Sequence, residues 1–143
     1  MHDRHYSTCM QFFSEQEANE ALGVVAPLVE RLVAARGRFV ADGQRLARLK
    51  RKVTGNGGGL DPVRAQEVQS AVDEVANEIG FLVAELESAG VQVKDLDRGL
   101  VDFPARHPES GDLVLLCWHL GEDRVAFWHG LEEGFAGRKP LPF

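Results

Sequence analysis

The chain has 143 residues, is 44% hydrophobic and 27% charged, and carries a formal net charge of −6. That is the size and make-up of one globular domain. It excludes a membrane-spanning helix, because no apolar run approaches the ~20 residues that a bilayer requires. It also disfavours nonspecific binding to nucleic acid, which rests on attraction to phosphates, unless a local basic patch overrides the average.

The opening MHDRHYSTCM lacks the basic-then-apolar pattern of a signal peptide, so a cytoplasmic location is expected. Cys9 and Cys117 form no CxxC pair, and no structural disulfide is expected. The first helix starts at SEQE, where Ser14 and Glu17 form a capping box that satisfies two otherwise unpartnered backbone N–H groups. Its apolar seam runs Val25, Leu28, Leu32, Ala35, Phe39, Asp42, Leu46, Leu49, Val53, with steps alternating three and four. Asp42 is the polar intruder, flanked by Arg38 and Arg45, and reads as a device that fixes register. Pro27 removes a backbone donor and predicts a kink or restart. Val29, Val33 and Val40 widen the stripe into a second ridge. The basic run RLARLKRK, residues 45–52, complements a helix C-terminus. The glycine loop Thr54–Leu60 that follows lacks the GxxxxGK[ST] phosphate signature.

Asp61 as N-cap and Pro62 at the first helical position open the second helix. Its seam is Ala65, Val68, Val72, Val75, Ile79, Leu82, Leu86, and Gly90 marks its stop. Antiparallel pairing places Leu49 on Val68, Leu46 on Val72, Phe39 on Ile79 and Leu32 on Leu86. The expected architecture is therefore α+β in a single domain, 1–143. A long antiparallel, coiled-coil-like helical hairpin over 14–90 precedes a small antiparallel β unit over 91–143. A helix of ~40 residues is ~60 Å long, so the hairpin is expected to protrude.

In the β unit, VQVKDL, GLVDFP, DLVLLCWHL and VAFWHG read as strands. A tight turn at Gly121–Arg124 pairs Leu120 with Val125, Trp118 with Phe127, Leu116 with His129, Cys117 with Trp128 and His119 with Ala126. That register puts His129 with Trp118 and Phe127 on one face, and Cys117, His119 and Trp128 on the other. A site using both Cys117 and His129 would then need a β-bulge.

The stretches FFSEQEAN, KDLDRGLVDFP and LLCWHLGE with WHGLEEGFAGRKPL resemble a bacterial family catalogued as domain of unknown function 2203. The resemblance covers nearly the whole chain. Its pattern falls on Glu17, Ala18, Asn19, Gly99, Asp102, Phe103, Pro104, Cys117, Trp118, Trp128, His129, Gly134, Phe135, Gly137 and Arg138, with His119 and Gly130 outside it. It implies a small bacterial protein with no settled reaction.

The residues that could carry chemistry gather late in the chain. His129 offers an imidazole, and Glu132 or Glu133 a carboxylate three or four residues on. Arg138 offers a guanidinium fork for an anion, and Trp128 stands beside them. The bland alternative is a corner in which Arg138 pairs with Glu132 or Glu133. Gly130 and Gly134 bracket the stretch, so a zincin-like helix is not expected there. Asp102 could be a ligand or general base, giving a divalent-metal set of His129, Glu133 and Asp102; otherwise it is a turn aspartate. Cys117 and His119 share a face and could chelate a soft metal, but a small buried thiol beside an incidental histidine is the preferred reading.

Two functions follow. The first is a helical-hairpin interaction protein that self-associates or binds a partner through the hairpin and its valine ridge, with no membrane and with nucleic acid disfavoured. The alternative is a metal- or small-ligand-binding protein around His129 and the Glu132–Arg138 turn, with metal-assisted water or oxygen chemistry if it is an enzyme.

Overall fold

The computed structural model describes residues 11–56 and 61–143, with side chains of the first helix described through Arg51. The cysteine at 9 and the glycines at 57–59 lie outside these residues. Helix α1 runs Glu15–Asn56 and helix α2 runs Pro62–Ser88. Five strands follow: β1 Gln92–Asp95, β2 Leu100–Arg106, β3 Leu113–His119, β4 Phe127–Gly130 and β5 Lys139–Pro140. They form one sheet in the order β1-β2-β3-β4-β5, with every neighbouring pair antiparallel.

The helix signals act as written in the sequence. The Ser14 amide donates to Glu17 Oε1 at 2.9 Å, and the Glu17 amide donates to Ser14 Oγ at 3.0 Å. The Asp61 side chain accepts from the Val63 amide at 2.9 Å, with Pro62 opening α2. The two helices pack on each other as an antiparallel hairpin, and Arg38 on α1 bridges Glu78 on α2 at 2.6 Å. Two local expectations are corrected. Helix α1 continues unbroken through Pro27, because the carbonyl that loses its donor belongs to Gly23, exposed like the proline itself. It also extends into the expected loop, through residues 54–56.

The sheet lays one face on the base of the hairpin. Val101, Phe103, Ala105, Val114, Leu116 and Trp118 join Val25, Val29, Leu32 and Ala35 of α1 and Leu82 and Leu86 of α2 in one core. At ~25 cal/mol per Å² of apolar surface, each of these larger side chains contributes on the order of 2 kcal/mol by its burial. This packing consumes the valine ridge. Val29 is fully buried, and Val33 packs against the same core. Of the three valines, Val40 alone is exposed.

The β3–β4 register differs from the expected one by a single residue. Cys117 lies opposite Phe127, Leu116 opposite Trp128 and Leu115 opposite His129. The cause is Val125. The tight turn would have paired it with Leu120. Instead its amide donates to Asn19 Oδ1 at 2.8 Å, and its carbonyl accepts from Asn19 Nδ2 at 3.2 Å. Leu120 donates elsewhere, to the Gly99 carbonyl at 3.1 Å. Since strand side chains alternate faces, a slip of one residue turns all of β4 over relative to β3.

Asn19→Ala is therefore expected to cost about 2 kcal/mol in a denaturant titration, because it strips both partners from a buried stretch of backbone. A loss below ~0.5 kcal/mol would show that the clamp does not hold the strand.

Candidate metal centre

The second face of the sheet points away from the hairpin. Strand pairing places Asp102 on β2 directly opposite Cys117 on β3, and His129 on β4 opposite Leu115, one step diagonal from Cys117. By alternation all of these share the outward face. They are nonetheless buried, at 2% exposure for Asp102, 0% for Cys117 and 5% for His129. Leu131, Glu133, Gly134 and Phe135 of the following segment wall a cleft of about 270 Å³ floored by Leu100, Asp102, Leu115 and His129, with Lys94 also lining it. One ligand atom from each of Asp102, Cys117 and His129 lies within 4.8 Å of the others, and this is the one such group among the described residues.

The hydrogen bonds define the proton inventory. His129 Nδ1 lies 2.8 Å from the Gly130 carbonyl, which can only accept, so Nδ1 carries the proton. His129 Nε2 then faces Asp102 Oδ1 at 3.2 Å. A bare lone pair would not sit against a carboxylate oxygen, so one proton lies between these two atoms. The Cys117 thiol lies beside the same carboxylate. A buried aspartate is thus hydrogen-bonded to an imidazole with a thiol at its side.

Burial governs the titration of this group. Desolvation pushes Asp102 above its usual range, and the charge and hydrogen bond of His129 oppose it only in part. Desolvation, joined by the neighbouring Asp102 charge, pushes the Cys117 thiol from 9.0 up to about 12. A thiol held in that state is a poor nucleophile, so the trio is no thiolate catalyst by itself. The folded pKa of Cys117 is raised, so its contribution to stability is complete below pH ~9 and is lost as pH climbs toward 12. Across that window, metal-free protein should lose roughly 1.4 kcal/mol per pH unit from this one group. Cys117→Ala should flatten that slope in denaturant titrations; an unchanged slope would deny the buried thiol any part in it.

The remaining candidates are distributed elsewhere. Arg138 pairs with Glu122, its Nη2 donating to both carboxylate oxygens at 2.9 and 2.7 Å, rather than with Glu132 or Glu133. Its guanidinium is sandwiched between Phe127 at 4.0 Å and Phe135 at 4.6 Å. Glu133 accepts from the Gly130 amide and from Lys139, which lower its pKa, and it lines the cleft without belonging to the buried trio. Glu132 is exposed and lines a second cleft with His107 and Trp128. Trp128 faces the hairpin side, stacked with His107, Phe143 and Lys139. His119 shares the outward face with Cys117 but holds the Leu120 carbonyl at 2.8 Å. The bracketed stretch is no zincin helix; it contains one 3-10 turn, Phe135–Gly137.

Of the expected set His129, Glu133 and Asp102, the structure brings His129 and Asp102 together with Cys117, and Glu133 lines the adjoining cleft. The one-residue difference in register brings Cys117 onto the face of His129, while Glu133 is held by the Gly130 amide and Lys139 at the cleft. The sequence did hold a signal for the correct register, Asn19 beside the capping box, but its partner lies far along the chain.

The donor set suits a transition metal. Carboxylate, imidazole and thiolate are all zinc ligands, and the other ring nitrogen fixed by a backbone carbonyl is the usual outer arrangement of a metal-bound histidine. Donors around a tetrahedral zinc ion stand about 3.3 Å apart, given ligand distances near 2.0–2.3 Å. The 3.2 Å between Nε2 and Oδ1 already meets that span. Two anionic ligands would balance a divalent charge in this buried setting.

The model of a family described as "Uncharacterized conserved protein (DUF2203)" matches residues 11–141. No curated protein and no solved structure matches the chain. Among the described residues, no helix is long and apolar enough to cross a membrane.

Proposed function

The chain belongs to the DUF2203 family, and from that premise we propose that it binds one divalent transition-metal ion, zinc by preference, through Asp102, Cys117 and His129. The observation that carries this reading is the convergence of three buried donors of different softness within 4.8 Å. Three protein ligands leave a fourth position, and Asp102 and His129 both border the cleft below residues 131–135. A metal with an open position beside a small cleft supplies an activated water, which makes hydrolysis the reaction class. His129 is held by Gly130 in the tautomer that offers Nε2, and Asp102 supplies charge. Lys94 at the cleft favours a substrate with an anionic group.

Elemental mass spectrometry on purified protein, followed by titration of the chelator-treated protein with zinc, tests the proposal. One equivalent in the native chain and none in His129→Ala is expected. Native protein that takes up no transition metal would end it.

A second reading, association through the hairpin, is favoured by Phe81 on α2, 56% exposed, and Val40 on α1, 39% exposed. Its test is light scattering of Phe81→Glu. Val33→Glu would instead report on the core.

A further inference from the structure

We propose that the far end of the helical hairpin is a phosphate-binding site, separate from the buried trio. Arg45 and Arg48 of α1 and Arg64 of α2 surround one cleft of about 290 Å³, and among the described residues Leu49 is the other that lines it. The arginines are 16 to 19 positions apart across the two helices, and the fold brings them to one cleft. All three are exposed. Among the described residues none of them is engaged by a carboxylate.

The surrounding charges strengthen the site. Residues 43–60 contain five cations, Arg45, Arg48, Lys50, Arg51 and Lys52, and no acid, within a chain of net charge −6. Asp61, the nearest following acid, is used as the N-cap of α2 and accepts from the Val63 amide. Glu67 and Glu74 line a different cleft of α2, together with Pro62, Val63 and Gln66. Arg64 thus lines one cleft of the hairpin, and Glu67 and Glu74 line another. Arg64 stands in the first turn of α2, where the helix dipole adds positive potential.

Three unneutralised guanidinium groups around one cleft repel one another, and an anion between them relieves that repulsion. Arginine forks match the geometry of phosphate oxygens, which lysines meet only as point charges. Among the described residues no aromatic side chain lines the cleft, so they offer no platform for base stacking and recognition rests on the phosphate. The shared ligand chemistry is a phosphate group, supplied either as a free oligophosphate or by a nucleic-acid backbone.

The test uses the full chain, with pyrophosphate in calorimetry and a labelled short single-stranded DNA in anisotropy at low and physiological salt. Binding of either probe, weakened about tenfold or more in both Arg48→Gln and Arg64→Gln, is the expected result; about tenfold is 1.4 kcal/mol. Melting curves and zinc uptake of both variants should match the native chain, because these side chains are exposed and far in sequence from the metal ligands. Pyrophosphate binding assigns the free ligand. DNA binding alone, with log K falling against log salt at a slope of about −2 for three contacts, assigns the backbone. No binding of either probe below about 1 mM, variants that bind like the native chain, or a poly-glutamate peptide that binds as tightly would each overturn the proposal.

Discussion

Cys117→Ala and His129→Ala are each expected to weaken zinc binding by more than ~100-fold, since outer-shell partners of metal ligands alone command ~10–100-fold. The physical reason is that the site has only three protein donors, and removing one leaves two. Asp102→Asn should weaken binding as well, but with an opposite effect on the metal-free chain. Burial opposes the charged form of Asp102, so a neutral amide in its place should leave stability unchanged or raise it. If the trio were merely a structural hydrogen-bonded cluster, Asp102→Asn would instead destabilise the fold and Cys117→Ala would leave zinc uptake unaffected.

The same binding must follow pH with a definite sign. Zinc needs the Cys117 thiolate, whose proton is held up to about 12, and it takes the place of the proton between Nε2 and Oδ1. Two protons should leave per ion bound near neutral pH, and the apparent affinity should rise as pH rises. Calorimetry in buffers of different ionisation enthalpy counts these protons directly. Binding with no proton release would place the ion elsewhere.

The second large effect is Gly99→Ala, expected to cost about 3 kcal/mol in urea titration. Gly99 has φ of 66°, a left-handed conformation that costs an L side chain ~1–2 kcal/mol. A Cβ there would stand 2.7 Å from Val29 Cγ1, 2.9 Å from Val33 Cγ2 and 3.0 Å from Leu120 Cβ. Overpacking against fixed neighbours adds ~1–3 kcal/mol. Val29 cannot yield, because it is fully buried in the core of α1 and the sheet. Gly111→Ala is the control. Its φ is 73°, yet nothing lies within 4 Å of the added atom, so it should show the conformational cost alone, about 1 kcal/mol. Equal losses for the two would mean that the β1–β2 turn is not pressed against α1.

These cases mark where the sequence is readable. Ser14, Glu17, Asp61, Pro62 and Gly90 act on groups a few residues away, so their meaning is local and the hairpin of helices follows from them. The strands were legible because Leu113–His119 and its neighbours are rich in β-forming residues. The existence of a β5 strand was not, since Lys139–Pro140 is two residues long and is held only by its partner, β4. In the site, Asp102 and His129 were recognisable by residue type. Cys117 was assigned to the wrong face, because face assignment inherits every error in register. Register here is not set by the Gly121–Arg124 turn, which carries no two-residue hairpin signature. Arg138 went to Glu122 for a similar reason. Glu122 accepts both bonds from Arg138 across 16 positions, while Glu133, nearer in sequence, is taken by the Gly130 amide and Lys139.

The Asn19 clamp spans 106 positions of the chain, and it ties two equilibria together. Two pairings of β3 and β4 differ by one residue, and only one of them gathers Asp102, Cys117 and His129. Asn19 stabilises that pairing from the first turns of α1, and a bound ion would stabilise the same pairing from the opposite face of the sheet. Whatever factor the ion contributes to holding the clamp, the clamp must return to the affinity for the ion. Helix α1, which supplies none of the three donors, would thereby help to set how tightly an ion at the trio is held.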